Sequence, residues 1–262
     1  MLSPNSLQAI EASQGWRQHR VEMFDLPEGR VVVKGQRPAR GPWRFRVLSA
    51  LARLTSNPLL RPVPAPGGAA AQATEVARLH ALAASGVQVP ELKHQGADYI
   101  VLRRIEGQPL QDQFTGEAGM ALRAFTRGLD GLIDLHRRGQ YLSQGFARNM
   151  LAAPDGLWYI DFEDDPLQVM DLPDAQARDL LSYLLSAVWI NRASRADLMS
   201  VWSATARSVA PDVMQRVRVA ASGLSWLRRL PRERKPWGRD VVTVQALAEF
   251  MHHWNTSEPA LS

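Results

Sequence analysis

Residues 135–165 read LHRRGQYLSQGFARNMLAAPDGLWYIDFEDD, and the fold of the whole chain turns on how this stretch divides. Apolar residues at helical spacing, Leu122, Phe125, Leu129, Leu132 and Ile133, run up to Leu135-His136 and predict one helix of roughly 20 residues ending before Gly139. His136 at its end is expected to be a packed or capping histidine rather than a base. A polar loop carrying Ser143, Gln144, Arg148 and Asn149 follows. Met150-Leu151-Ala152 and Leu157-Trp158-Tyr159-Ile160 flank Ala153-Pro154-Asp155-Gly156, a turn signal of the Asp-Gly kind, so a hairpin is predicted with Asn149 and Asp161 at its open ends. An amide oxygen and a carboxylate placed together, with substrate phosphates and water completing the shell, are a common way of holding Mg²⁺.

Toward the amino terminus, Val21 and Met23 share one face of an extended segment beginning near Arg17. Pro27-Glu28-Gly29 makes a turn, and Arg30-Val31-Val32-Val33-Lys34 is rich in β-branched residues, which predicts a β-hairpin ending in a lysine. Only Lys34, Lys93 and Lys235 are lysines, so one at this strand end is informative. Residues 70–84 form a strong helical pattern closed by Gly86, and Glu75 near its start has the chain order and helical setting to pair with Lys34. The plainer readings are a strand-end lysine and a glutamate that complements a helix dipole. Residues 87–92 and 99–105 read as strands around a turn at 95–98. Glu106-Gly107-Gln108-Pro109-Leu110 then breaks the pattern and divides a first lobe, 1–106, from a second, 107–262.

The expected fold class is therefore α+β in two lobes. The first is small and β-rich, with one helix and a basic insertion at 35–68; the second is mainly helical. In the insertion Trp43, Val47, Leu48, Leu51 and Leu54 recur at helical spacing opposite Arg40, Arg44, Arg46 and Arg53. That is either a solvated basic face or a surface meeting a phosphorylated or lipid-like acceptor at a membrane. Beyond the hairpin, 176–190 predicts a buried helix opened by Asp179, and 195–209, 211–221 and 241–254 carry further helical patterns. Between the last two, basic residues alternate with Trp226 and Trp237. A solvated loop with its tryptophans tucked into the core is expected, against contact with a membrane surface or nucleobases.

The run LHxxG…N-M-L…W-Y-I-D-F-E resembles the catalytic and metal loops of small bacterial members of the protein-kinase-like superfamily, near the lipopolysaccharide-core sugar kinases. The resemblance implies ATP and Mg²⁺ as cofactors, Asn149 and Asp161 as metal ligands, Lys34 as the phosphate-binding lysine and Glu75 as its partner. It also implies that Asp179 pins the catalytic loop and that 106–110 is the hinge. Where a kinase catalytic loop places its aspartate base, five residues before the asparagine, this sequence has Gln144, and Glu163 replaces the glycine of the commoner D-F-G. A positioned base contributes roughly 10²–10⁴-fold, whereas positioning and metal electrostatics carry most of phosphoryl transfer. Two readings follow. One is a phosphotransferase acting on a sugar, lipid or lipopolysaccharide-type glycan, with Gln144 and Asp161 as its catalytic residues and Glu163 or Asp164 as a displaced base. The other is a nucleotide-binding pseudokinase with a regulatory or scaffold role.

Composition narrows the alternatives. With 262 residues, 45% hydrophobic and 22% charged, the chain reads as an ordinary soluble globular protein. The absence of cysteine excludes disulfides, thiolate metal sites and a cysteine nucleophile. The longest nearly apolar run, 180–190, is interrupted by Ser182 and Ser186 and falls short of the roughly 20 residues of a membrane span. No secretory signal is visible, so a cytoplasmic protein is expected, with peripheral contact at the inner face of an anionic membrane as the extension. A formal charge of +5 attracts phosphates, acidic lipids and nucleic acid alike, and nucleic acid is the weakest of these because no recognisable module accompanies the arginines. No Walker loop and no G-x-S-x-G elbow is present, and Gly15 stands alone where a glycine-rich loop ahead of Lys34 would be.

Overall fold

Alternation along two strands builds the first lobe. β1 (Val21–Leu26) and β2 (Gly29–Gly35) form a hairpin in register from Val21↔Lys34 to Leu26↔Gly29. Gly29 closes it at φ +120°, a conformation that side chains rarely adopt. β3 (Leu92–Gln95) and β4 (Tyr99–Arg103) complete an antiparallel sheet of order β1-β2-β4-β3. Val31 and Val33 point to one face with Tyr99 and Val101, where α1 (Pro4–Ala12) and α2 (Gly15–His19) supply Ile10 and Trp16. Lys34 points to the other, toward α3 (Gly68–Ala84), whose Leu79 and Leu82 share a core with Ile100 and Leu102. β4 is covered on both sides, which is why it reads as a continuous apolar run. Ile10 is 0% exposed, worth roughly 1.5–3 kcal/mol, against about 1 kcal/mol for the Ser3 cap; packing rather than capping docks α1. The computed structural model describes residues 2–38, 59, 61–64, 66–142 and 144–257.

The second lobe begins with β5 (Gln108–Pro109), which pairs with β6 (Met150–Ala153), itself paired with β7 (Gly156–Tyr159). Around this small sheet lie α4 (Leu110–Gln113), α5 (Ala118–Arg137), α6 (Leu172–Ala187), α7 (Arg195–Ala206), α8 (Pro211–Gly223) and α9 (Arg239–Ser257). Phe125 of α5 stacks on Tyr183 of α6 at 5.8 Å, and the Tyr183 hydroxyl donates to the Phe125 carbonyl at 2.9 Å. Gly128 makes that approach possible, since a Cβ there would stand 2.2 Å from the hydroxyl. Trp202 and Trp254, both 0% exposed, meet edge to face and join α7 to α9. Together the lobes give an α+β architecture, a small antiparallel sheet with its helix beside a mainly helical lobe.

Several local expectations need correction. Residues 15–19 are helical, and the extended segment begins only at Val21; five residues carry too little periodicity to announce a helix. Val21 and Met23 do share one face of β1, the solvent side, at 42% and 61% exposure, while Phe24 and Leu26 turn toward the α1 cluster. Residues 87–91 are irregular and the strand starts at Leu92, consistent with Pro90 having no N–H to give a ladder. α6 starts at Leu172 behind an Asp171 cap, so Asp179 lies well inside the helix rather than at its opening. The first lobe has α2 besides its internal helix; α1, for which Ser3-Pro4 is a cap and first-turn pair, spans Pro4–Ala12 as the sequence leads one to expect. The helical pattern at 43–54 in the basic insertion lies outside the described residues.

Candidate active site

Lys34 leaves β2 on the face covered by α3, and its Nζ stands 2.6 Å from Oε1 of Glu75, 3.3 Å from Oδ1 of Asp161 and 3.5 Å from Oε1 of Glu163. The Glu75 side chain is 4% exposed; removing one partner of such a buried pair costs about 3–5 kcal/mol, far more than an exposed pair is worth. The strand, the helix and the segment after β7 thus converge on one ammonium group.

Asp161 adopts φ +73°. Aspartate tolerates this left-handed region better than most side chains, yet it costs of order 1–3 kcal/mol and persists where the surroundings impose it. Here the Ile160 N–H donates to the Asn149 carbonyl at 3.0 Å on one side, and Phe162, 1% exposed, is anchored in the core on the other. The chain reverses between these two fixtures and directs the carboxylate to Lys34. Among the described residues Arg20, at φ +69°, is the one other non-glycine residue with positive φ, and it contacts Glu163 of the same cluster.

Asn149 ends a 3-10 turn, Ala147–Asn149, at the entrance to β6 and is 5% exposed. Its Nδ2 donates to the Gln144 carbonyl at 3.2 Å, which leaves Oδ1 as the acceptor end. An acceptor-only asparagine oxygen and the Asp161 carboxylate make an all-oxygen donor set, which fits Mg²⁺ sharing its shell with phosphates. No group of three or more His, Asp or Glu among the described residues is arranged to hold a metal alone, so phosphate oxygens would have to take part.

Gln144 donates through Nε2 to Oδ2 of Asp164 at 3.0 Å. Gly145, next to it, lies against α6, where a Cβ would stand 2.6 Å from the Asp179 carbonyl oxygen. Asp179, 2% exposed, accepts the Leu142 N–H at 2.7 Å and lies 3.3 Å from His136 Nε2. Burial pushes its carboxyl above the usual range, against the pull of His136 and of the Leu142 amide. The sequence reading missed Arg20, Arg37 and the role of Gly145. A glycine directly after Gln144 was a usable signal; the arginines offered none.

Arg37 Nη1 pairs with Glu163 Oε2 at 2.9 Å, while Arg20 and Lys34 meet Oε1. Glu163 is 4% exposed and committed to these cations, so of the two carboxylates considered as displaced bases it is Asp164 that faces Gln144. The open space bounded by Lys34, Arg37, Gln72, Glu75 and Glu163 is about 10 Å³, room for about one water. A roomier concavity of about 350 Å³ lies at the other end of β2 from Lys34, around Arg30, Lys93 and Arg104. Its Arg30 is already paired with Asp25 and Glu106, and it holds none of the groups described above.

No family model matches the chain, and no curated protein matches it. Among solved structures it is similar to a MAP kinase of Leishmania major, solved as a complex, at 12% identity and a TM-score of 0.34, over 90% of this chain and 82% of that one. No residue role and no class is carried across at that level of likeness.

Proposed function

We propose that the chain is an ATP- and Mg²⁺-dependent phosphotransferase whose acceptor is a non-protein molecule, a sugar, lipid or lipopolysaccharide-type glycan, presented at an anionic membrane surface. The observation that carries this reading is the convergence of Glu75 and Asp161 within 3.3 Å of the Lys34 ammonium, beside an asparagine oriented by the Gln144 carbonyl. When bound, Mg²⁺ supplies charge neutralisation for the transferred phosphoryl group. Lys34 grips phosphate oxygens, Glu75 keeps its ammonium in place, and Asn149 and Asp161 offer oxygens to the cation. Gln144 orients the acceptor hydroxyl, and Asp164, held by the Gln144 amide, takes the proton.

Two features support the acceptor class. Residues 162–171 alone separate Asp161 from α6, which leaves little platform for a protein substrate. Trp226 and Trp237 are 48% and 59% exposed, contrary to the expectation that they are tucked into the core. Residues 226–239 hold six arginines and lysines against one glutamate, a difference of +5 that equals the formal charge of the whole chain. Indoles among cations fit an anionic lipid interface. No helix among the described residues is long and apolar enough to cross a membrane.

Thermal-shift titration with ATP and Mg²⁺ should raise the melting temperature, and Asp161→Ala should remove the rise; no rise with any nucleotide defeats the proposal. Turnover over a panel of core sugars and lipids, lost in Asp164→Asn, separates the enzyme from the pseudokinase that Gln144 otherwise favours, for which binding without turnover is expected.

A further inference from the structure

Kinase-like folds usually cover nucleotide phosphates with backbone amides of a glycine-rich loop upstream of the lysine strand. In this chain the amides at that place are already spent. Gly15 N–H donates to the Ser13 hydroxyl and Trp16 N–H to Glu22 Oε2. Gly15 itself is explained by the same carboxylate, because a Cβ there would stand 2.4 Å from Glu22 Cδ. Residues 15–19 are a closed helical turn with no amide nest to offer.

What the segment offers instead is Arg20. Its left-handed backbone, at φ +69°, sits next to the hairpin, where the Gly35 N–H donates to its carbonyl at 2.7 Å, and its guanidinium reaches Glu163. Arg37, three residues beyond Lys34, reaches the other oxygen of the same carboxylate. Arg20, Lys34 and Arg37 therefore converge on one buried anion, and the Arg20 Nε has no hydrogen-bond partner among the described residues. Guanidinium groups pair with phosphate through two donors at once, and a polyphosphate brings more oxygens and more charge than one carboxylate.

We infer that Arg20 and Arg37 complete, with Lys34, a cationic cradle for the nucleotide's polyphosphate in place of a glycine-rich loop, and that Glu163 is the internal anion which occupies this cradle until phosphates displace it. The inference rests on the nucleotide reading above and adds to it both the gripping residues and a built-in competitor. The space of about 10 Å³ at the cluster accords with a carboxylate filling the cradle.

Calorimetric titration of the full chain with Mg-ATP, Mg-tripolyphosphate and adenosine tests it. Each of Arg20→Ala and Arg37→Ala should weaken Mg-ATP and Mg-tripolyphosphate about tenfold or more and leave adenosine unchanged. Glu163→Gln should tighten both phosphate ligands by about the same factor. If Glu163→Gln fails to fold by circular dichroism, Glu163→Asp, whose shorter arm withdraws the charge, should shift affinity in the same direction. Wild-type affinity in both arginine variants overturns the inference, as does weaker Mg-ATP binding in the glutamate variants. No binding of Mg-ATP by the wild type defeats the nucleotide reading itself, an outcome distinct from these.

Discussion

Two buried carboxylates lie at the candidate site, and they are held in opposite ways. Asp179 is fixed by the Leu142 backbone N–H and by His136 at the end of α5. Glu163 is answered by the long side chains of Arg20, Lys34 and Arg37. A backbone amide cannot change partner without moving the chain, whereas a guanidinium on a rotatable stem can. Exposures of 2% and 4% do not distinguish the two; the nature of the donors does. Asp179 is a permanent fixture of the loop that carries Gln144, and Glu163 is a replaceable occupant of the site.

Asp179→Ala should produce the largest effect. It orphans the Leu142 amide and the His136 ring, costing about 1–3 kcal/mol in urea unfolding, and the misplaced loop should lower turnover about 100-fold. Intact turnover there would erase the distinction between the two carboxylates. Gly145→Ala should come next: the new Cβ meets backbone rather than a flexible side chain, so the loop must lift from α6, with about 1–3 kcal/mol lost in the same assay.

The pH dependence sharpens the comparison further. Asp179 is raised by burial above its ordinary 3.8, so the folded chain holds this proton more tightly than the unfolded one does. Its contribution is fully present below 3.8 and declines as pH rises through the raised value. Asp179→Asn should therefore flatten the fall in stability above pH 3.8, read from thermal melts across that range. The smallest effect belongs to Glu28, an exposed carboxylate pulled from 4.5 to about 2 by Ser3 and Ser6. What it contributes is present above 4.5 and lost as pH falls through about 2, so Glu28→Gln should slightly weaken the docking of α1 at neutral pH and leave Mg-ATP titrations unchanged.

Legibility followed the range of each signal. The hairpin at 150–159 and the long helix α5 are local patterns, a turn dipeptide and an apolar stripe, and the α+β two-lobed class follows from their order. The approach of Lys34 to Glu75 needed only chain order and a shared face. Arg20 and Arg37 were not readable, because a left-handed arginine has no sequence signature and residues 126 positions apart, Arg37 and Glu163, meet only through the packed lobes. Trp226 and Trp237 were misplaced for a related reason: in a stretch without periodicity nothing assigns an inside. Pro90, by contrast, was visible and should have moved the strand start to Leu92.

The contact between Arg78 and Tyr141 ties the sheet side of the site to its loop side. Arg78 lies one helical turn after Glu75 on α3, donates to the Tyr141 carbonyl at 2.7 Å and covers the Tyr141 ring at 3.8 Å. α3 is thus geared to the segment leading into Gln144 although it belongs to the sheet lobe by sequence. One helix therefore carries both the carboxylate that holds Lys34 and the guanidinium that holds Tyr141, so a single rigid element sets the spacing between the strand lysine and the loop before Gln144.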